Sequence, residues 1–357
     1  MTTHRESNTH DVRAEDAIDI TQLSRWLIEQ DPTLHGAPEL HQFSGGASNL
    51  TYLLRFPDRD LVLRRPPHGY QAAGSHNIGR EHRIQTALQP IFRYVPRTVG
   101  LCEDDTVIGA PFYVMERIDG HIPRRRFPVE MALSVPQTRQ LCIRTLDVLI
   151  QLHQLDISTG ELAWLTRGDG YVHRQVQGWS ARYRRTKTWN VGSFESVISW
   201  LNEHQPGDRG TCLIHNDFRI DNMVYSRAEP TQPIGLLDWE LATVGDPLMD
   251  LGAALAYWTQ RTDPRHFKAF GTQPTDQPGM LTRREVVHHY CTSTGIGLSD
   301  DEWCFYEVFG LFRLAVICQQ IYYRYHHKQT TNRDFRTLFV AVNLLERRCR
   351  ILIRRHR

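Results

Sequence analysis

The stretch that decides the fold is residues 213–252, LIHNDFRIDNMVYSRAEPTQPIGLLDWELATVGDPLMDLG. It holds two short apolar runs, 213–214 and 234–237, that are typical of buried strands. A carboxylate follows each run: Asp217 from a short loop, and Asp238 directly. Asn222 comes after Asp217 with four residues between them, and 223–225 predicts another short strand that would hold this loop in place.

The order Asp, four residues, Asn and then a strand-borne Asp is typical of the catalytic loop and metal site of kinase-like phosphotransferases. Phosphoryl transfer depends on positioning and on neutralising spread negative charge. Since Mg²⁺ accepts hard oxygen ligands, we predict that Asn222 and Asp238 are metal ligands. A further carboxylate must orient the acceptor hydroxyl and take its proton, and we assign that role to Asp217.

Three segments carry a resemblance to a known family: HNDFRIDN at 215–222, LDWE at 237–240 and GDPLMDL at 245–251. They resemble the aminoglycoside phosphotransferase (choline-kinase-like) family, and within it the branch related to the kinase domains of acyl-CoA dehydrogenase fusion proteins. The resemblance covers nearly the whole chain, from residue 38 to 345. It implies an α+β, protein-kinase-like two-lobed fold with an antiparallel N-lobe sheet and a mainly helical C-lobe, using ATP and Mg²⁺.

Other interpretations of the same stretch are open. Five aspartates within forty residues are also compatible with a solvated face or with a two-metal hydrolase, and a nucleotide-binding regulator without catalysis is a third possibility. The strand-like runs before both key acids, and a matching N-terminal half, favour the kinase-type site. We interpret Asp246 and Asp250 as structural groups that bond backbone amides, whereas Asp221 fits either role.

The N-terminal half contains a glycine turn between two predicted strands, 40–43 and 50–56. A strand, a flexible turn and a strand are the layout of a hairpin that covers phosphates, although a Gly-Gly hairpin is often only a turn. Glycine lets the backbone approach a phosphate closely. The predicted phosphate-contacting residues are Ser44, Gly45, Gly46, Ser48 and Asn49.

Arg64 occupies the position of the kinase lysine. The run 61–64, LVLR, resembles the Val-Ala-Ile-Lys strand of kinases, and no lysine precedes Lys187. We therefore assign Arg64 to the nucleotide phosphates, with Arg65 as the less favoured neighbour on the opposite strand face. Glu81, in a predicted helix over 75–89, is placed to pair with Arg64, the alternative being a surface glutamate.

A linker is predicted after the strands 97–102 and 110–115. The resemblance implies that its backbone at Glu116 and Ile118 meets the adenine edge, which divides the chain into an N-lobe at 1–116 and a C-lobe at 117–357. Residues 1–16 are expected to be a loose tail. The other predicted helices are 20–30, 136–155 with a buried core His153, 175–188, 251–258, 302–325 and 338–353.

Composition places the chain among ordinary globular proteins, with 40% hydrophobic and 23% charged residues. The seven cysteines show no metal-ligand spacing, and the N-terminus lacks an apolar signal core. No run is expected to approach a membrane span; 302–325 contains Arg313 and is predicted to be a core helix. A sequence pI near 8.2 without a nucleic-acid-binding motif argues against such a partner. We expect a cytoplasmic protein whose partners are a nucleotide and a small molecule.

The charge distribution bears on the acceptor. From residue 251 onward the chain has sixteen Arg and Lys against nine Asp and Glu, and 174–187 holds five cations and no acid. Such a surface repels a polycation and attracts an anion, although arginines such as those at 354–357 also serve solubility. We therefore expect an anionic alcohol, with a hydroxyacyl-CoA as one candidate. An aminoglycoside, a sugar and an amino alcohol are the alternatives.

Overall fold

The computed structural model describes residues 9–43, 49–67, 78–157 and 160–356. The chain forms two compact units, Met1–Asp119 with Ile234–Glu240, and Gly120–Pro233 with Leu241–Arg357. The segment 234–240, which carries Asp238, therefore belongs to the first unit, whereas the sequence-based division assigned it to the C-lobe. Backbone bonding explains this, because the Leu236 N–H donates to the Tyr94 carbonyl at 2.7 Å.

The first unit is built on an antiparallel sheet. Its elements are β1 (Thr9–His10), α1 (Ile20–Gln30), β2 (Glu39–Phe43), β3 (Leu50–Arg55), β4 (Asp60–Arg65), α2 (Ile78–Leu88), β5 (Thr98–Cys102) and β6 (Phe112–Glu116). The strand order among the described residues is β1-β2-β3-β4-β6-β5. One face of the sheet packs on Leu23 and Leu27 of α1, which Asp19 caps through the Thr21 and Gln22 amides.

Polar residues also stabilise this sheet, both at its β1 edge and on β4. Thr9 pairs with Phe43 in the sheet, so the described end of the expected loose tail is ordered. Buried Asp16 contributes to that order, because its carboxylate accepts a hydrogen bond from Gln42 Nε2 at 2.8 Å. Arg65, next to Arg64, is buried and donates to the Ile108 carbonyl at 3.1 Å.

The second unit is mainly helical. Its helices are α3 (Val135–His153), α4 (Tyr171–Thr186), α5 (Glu195–Glu203), α6 (Pro247–Ala256), α7 (Arg265–Lys268), α8 (Arg283–Thr294), α9 (Asp300–His326) and α10 (Leu338–Arg355). Its strands are β7 (Cys212–Ile214), β8 (Met223–Tyr225) and β10 (Thr243–Gly245), and β9 (Pro233–Leu236) runs from this unit into the first. β7 and β10 pair antiparallel. The predicted two-lobed α+β fold is confirmed.

Helices α5 and α8 were missed in the sequence analysis. For α8 a signal was present, since Thr282 and Glu285 form a capping box at its start. For α5 the local signal was poor, because the helix follows Phe194, a residue with φ 55°. The helix predicted over 175–188 is α4, which begins four residues earlier, at Tyr171, and ends at Thr186.

Helix α9 forms the core of the second unit and packs on α6 and α10. The α6 contact depends on two glycines: a Cβ on Gly252 would lie 2.6 Å from the Tyr306 carbonyl oxygen, and one on Gly310 would clash with the backbone of Gly252. By length and composition α9 is able to cross a membrane, unlike our expectation that no run approaches a span. The apolar stretch of α9 is 67% buried within the protein, which agrees with the predicted core helix.

Candidate active site

The 215–222 loop leaves strand β7 through a residue with a left-handed backbone. Asn216 has φ 65°, a conformation that asparagine adopts more readily than most residues. Asp217 follows, partly exposed, and its Oδ2 accepts a hydrogen bond from Asn222 Nδ2 at 3.1 Å. The same nitrogen donates to the Asp217 carbonyl at 2.9 Å. The carboxylate and the amide that the sequence separates by four residues are thus held together.

Asp250, on α6, anchors this loop. Its carboxylate is fully buried and accepts hydrogen bonds from the His215 and Asn216 amides, both at 2.8 Å. His153 Nε2 lies 3.1 Å from the same carboxylate. Burial by itself raises the pKa of Asp250, but the hydrogen bond and charge of His153 and the contacts of His215 outweigh it and hold the pKa below its ordinary value. A charged carboxylate therefore fixes the backbone that leads to Asp217.

The structural roles predicted for other polar residues are confirmed. Asp246 caps α6 by accepting hydrogen bonds from two amides of its first turn at 2.9 and 3.0 Å. His153 is buried, and its Nδ1 lies 2.7 Å from the Tyr290 hydroxyl. Asp221, for which two roles were open, pairs through both carboxylate oxygens with Arg219, one of these bonds measuring 2.8 Å. Its carboxylate is therefore engaged in an ion pair.

In the first unit, Arg64 lies among three carboxylates. Arg64 Nη1 donates to Glu81 Oε1 at 2.5 Å, which confirms the predicted pairing. Asp238 Oδ1 lies 3.4 Å from both terminal nitrogens of the guanidinium, and Glu240 Oε2 lies 3.8 Å from Nη2. The side chain on β4, the side chain on α2 and the segment after β9 are thus joined through one arginine.

Burial and the neighbouring charges act in opposite directions on the pKa values of Arg64 and Glu81. Burial opposes the charge of Arg64, but Glu81 and then Tyr113, Asp238 and Glu240 raise the pKa of its guanidinium above the ordinary value. Burial raises the pKa of Glu81, and Arg64 acts against that shift. The guanidinium of Arg64 therefore stays charged beside these carboxylates.

Two oxygen atoms, one in each unit, fit the predicted metal ligands. Asp238 has φ 68°, and its Oδ2 accepts no hydrogen bond from the described residues. Asn222 Oδ1 likewise has no donor in the described part of the chain. Among the same residues no group of three or more His, Cys, Asp and Glu forms a self-sufficient metal site. Mg²⁺ commonly takes one or two protein ligands together with phosphate oxygens and waters, and each of these two oxygens is of a type that suits it.

The predicted nucleotide contacts are only partly visible. Ser44, Gly45, Gly46 and Ser48 lie outside the described residues. Asn49 is buried and donates through Nδ2 to Glu240 Oε2 at 3.2 Å, so this nitrogen is engaged in place of the predicted phosphate contact. The Glu116 amide donates to the Arg97 carbonyl at 2.7 Å, whereas the Ile118 amide has no acceptor among the described residues. An adenine contact at Glu116 and Ile118 stays a prediction.

Replacing Arg64 with lysine tests whether the guanidinium matters. We expect Arg64→Lys to raise the KM for ATP by about tenfold, because a single ammonium cannot replace the forked donors that contact Glu81 and Asp238. The measurement is steady-state kinetics at varied ATP with saturating Mg²⁺. Arg59→Lys, at an arginine paired with Asp31 at 2.8 Å in the same unit, is the matched control. Equal KM and kcat for Arg64→Lys and the wild type would contradict the assignment.

Some residues around the 215–222 loop were missed by sequence reasoning. Arg313, on α9, donates to the Asn216 carbonyl at 2.8 Å. Gln273 Oε1 accepts from the Ile220 amide at 2.7 Å, and Arg124 Nη1 donates to the Asp221 carbonyl at 3.3 Å. The run of three arginines at 124–126 was a visible signal, but nothing in the local sequence marks Gln273.

The basic segment 174–187 contributes less free charge than its composition suggested. Arg184 forms two bonds with Glu195, at 3.0 and 2.7 Å. Arg174 donates to backbone carbonyls just before α4, including that of Gly168 at 2.9 Å. Arg182 lies over the Trp179 ring, with its guanidinium carbon 4.6 Å from the ring centroid. At least two of the five cations are therefore committed to structural contacts.

The fold and these two groups of residues define the class of protein, a kinase-type phosphotransferase. The chain belongs to the phosphotransferase enzyme family, whose model matches residues 39–286. The resemblance predicted from 215–251 is therefore confirmed.

Curated relatives share the branch that the sequence indicated. The chain is 37% identical over 319 residues to acyl-CoA dehydrogenase family member 10 of Mus musculus, covering 89% of this chain and 29% of that protein. It is 34% identical over 327 residues to acyl-CoA dehydrogenase family member 11 of Homo sapiens, covering 91% and 40%. The chain thus spans less than half the length of these relatives.

Solved structures with the same fold are aminoglycoside phosphotransferases by name. A Ralstonia eutropha protein provisionally named an aminoglycoside phosphotransferase matches with a TM-score of 0.78 and 26% identity, over 94% of this chain and 99% of that one. The streptomycin–ATP–APH(2")-IIa complex matches with a TM-score of 0.56 and 17% identity, over 85% and 91%. At that lower identity the second match shows the fold alone.

Proposed function

We propose that this protein transfers the γ-phosphoryl group of ATP, with Mg²⁺, to a hydroxyl of a small anionic molecule. The observation that carries the proposal is the hydrogen-bonded pair of Asp217 and Asn222. Asn222 turns its nitrogen to the Asp217 carboxylate and leaves its oxygen without a donor in the described chain. One carboxylate for the acceptor proton and one amide oxygen for a metal are thus set by the same loop.

The residues have separate roles in this reaction. Asp217 orients the acceptor hydroxyl and accepts its proton as the new O–P bond forms, while the bond between the γ-phosphorus and the oxygen bridging to the β-phosphate breaks and ADP leaves. Arg64, fixed by Glu81, binds phosphate oxygens of the nucleotide. Asp238 and Asn222 hold Mg²⁺, which, when bound, neutralises charge on the phosphates. Asp250 keeps the loop backbone in place and touches no reacting group.

A hydroxyacyl thioester of coenzyme A is the acceptor that we favour. The relatives named acyl-CoA dehydrogenase family members 10 and 11 are large proteins of which this chain matches only 29% and 40%. A kinase domain in that setting would act on an acyl-CoA-borne hydroxyl. The excess of cations after residue 251 supports an anionic acceptor and disfavours a polycationic antibiotic.

The test is an ADP-production assay with ATP, Mg²⁺ and a panel of alcohols. We expect hydroxyacyl-CoA to stimulate ADP formation and kanamycin-like aminoglycosides not to, with stimulation weakening as salt rises because exposed charges become screened. Efficient turnover of an aminoglycoside without a response to any anionic alcohol would overturn the acceptor assignment. Nucleotide binding without ADP formation for any alcohol would instead favour a non-catalytic regulator.

Removing the Asp238 carboxylate tests the metal assignment. We expect Asp238→Ala to weaken Mg²⁺-dependent nucleotide binding by about tenfold or more, the scale seen when metal-site groups are removed. Calorimetric titration with ATP, with and without Mg²⁺, measures the effect, and Asp58→Ala, at a loop carboxylate of the same unit, is the control. If Mg²⁺ strengthens ATP binding equally in Asp238→Ala and the wild type, Asp238 is not a ligand.

A further inference from the structure

The second unit contains a cavity whose lining includes four basic side chains. Its volume is about 320 Å³, within the range of small-molecule sites. Its charged lining consists of four cations and one acid: Arg125, Arg126, Arg265, Lys268 and Asp276. The cavity therefore carries a surplus of positive charge.

The cations of this cavity lack protein counterions. The side chains of Arg125, Arg126 and Arg265 make no ion pair or hydrogen bond with any residue in the described ranges, and Lys268 Nζ donates only to the Arg261 carbonyl at 3.1 Å. By contrast, Arg283 in the same unit binds Asp263 through two bonds of 2.7 Å. Like charges gathered around a concave surface repel one another unless an anion joins them, so solubility alone does not account for this arrangement.

The cavity is connected directly to the 215–222 loop. Gln273 lines it and is 2% exposed, and its Oε1 accepts the Ile220 amide at 2.7 Å. Its buried Nε2 has no acceptor among the residues that the structure describes, which is costly for an amide donor. A second connection comes from Arg124, which donates to the Asp221 carbonyl at 3.3 Å. Arg124 directly precedes two of the arginines that line the cavity. The cavity thus adjoins the loop that carries Asp217.

We propose that this cavity binds a phosphate-bearing end of the acceptor and that Arg125, Arg126, Arg265 and Lys268 determine specificity for such acceptors. The inference rests on the proposed function and deepens it: the hydroxyl to be phosphorylated and the phosphate that anchors the molecule are on one acceptor. Arginine suits this role because its planar fork donates two hydrogen bonds to one phosphate.

The experiment measures binding without turnover. Coenzyme A and inorganic diphosphate are titrated in the absence of ATP into the wild type, Arg125→Gln/Arg126→Gln and Arg265→Gln/Lys268→Gln. The control is Arg350→Gln/Arg354→Gln, which removes the same charge from α10, away from the cavity lining. We expect the Kd for coenzyme A to rise about tenfold or more in each cavity variant, the scale of a lost charged hydrogen bond. In the control it should change less than about twofold, as expected for long-range charge screened by salt.

Steady-state kinetics show whether the cavity binds a phosphate of the acceptor or a phosphate of ATP. In the cavity variants the KM for hydroxyacyl-CoA should rise together with the Kd for coenzyme A, whereas the KM for ATP should stay at the wild-type value. Unchanged coenzyme A affinity relative to the control would overturn the inference. A raised KM for ATP alone would also overturn it, because the cations would then serve the nucleotide.

The two proposals fail in different ways. If coenzyme A binding depends on the cavity cations but no hydroxyacyl-CoA is phosphorylated, the proposed function is wrong and the phosphate site stands. If hydroxyacyl-CoA is phosphorylated with the same KM in wild type and cavity variants, the function stands and the phosphate site is wrong.

Discussion

Asp217→Asn is expected to lower kcat by about 10²- to 10⁴-fold, the range for a positioned acid-base group. The amide keeps the size of the carboxylate and one acceptor oxygen for Asn222 Nδ2, so the loop should keep its shape. What the variant loses is the negative charge that attracts and accepts the hydroxyl proton. Nucleotide affinity, measured by titration with ATP and Mg²⁺, should stay within about twofold of the wild type. The reason is that Asp217 is assigned to the acceptor hydroxyl, and an interaction made only in the transition state does not contribute to nucleotide binding.

The matched control for this variant is Glu229→Gln. This substitution makes the same carboxylate-to-amide change later in the same unit. The Glu229 side chain is exposed and pairs with Arg144. We expect its kcat to equal that of the wild type. If Asp217→Asn also turned over at the wild-type rate, Asp217 would have no part in the chemistry.

Asp250→Asn is expected to lower the free energy of unfolding by about 3–5 kcal/mol, the usual cost of breaking a buried charged group's contacts. The side chain is fully buried and accepts bonds from two amides at 2.8 Å as well as facing His153. An asparagine would turn an NH₂ group toward one of these donors. Urea unfolding of the full chain at pH 7 measures the change.

Asp334→Asn is the control for Asp250→Asn. Asp334 is an exposed carboxylate in the same unit, and its replacement should change stability by less than about 0.5 kcal/mol, as for most surface positions. A loss below about 1 kcal/mol for Asp250→Asn, comparable with one ordinary hydrogen bond, would show that the carboxylate is not the loop anchor.

The pH dependence of this effect has a definite sign. The folded pKa of Asp250 is depressed, so its stabilising contribution is fully present above the unfolded value of about 3.9. It is lost as pH falls through the lower folded pKa. The difference in urea midpoint between wild type and Asp250→Asn should therefore be constant from pH 7 to 5 and shrink below about pH 4. A difference that grows in acid would contradict the assignment.

The sequence by itself was enough to predict roles for the site residues. Asp217, Asn222 and Asp238 were recognisable because each role needs one residue type at one spacing along the chain, and short apolar runs marked the strands before them. The pairing of Arg64 with Glu81 was also predicted, from the resemblance of 61–64 to the kinase strand and the absence of an upstream lysine. Helix limits were predicted well where a cap was recognised, as at Asp19.

Tertiary structure alone decided how these residues are supported. Local spacing carries no information about which backbone amides a carboxylate binds, and Asp250 meets the His215 amide across 35 positions. The same holds for the segment of Asp238, which joins the first unit because Leu236 bonds to Tyr94. The basic cavity combines Arg125 with Arg265 and Gln273. Such sets arise from the packing of distant elements, and only the folded chain brings their charges together.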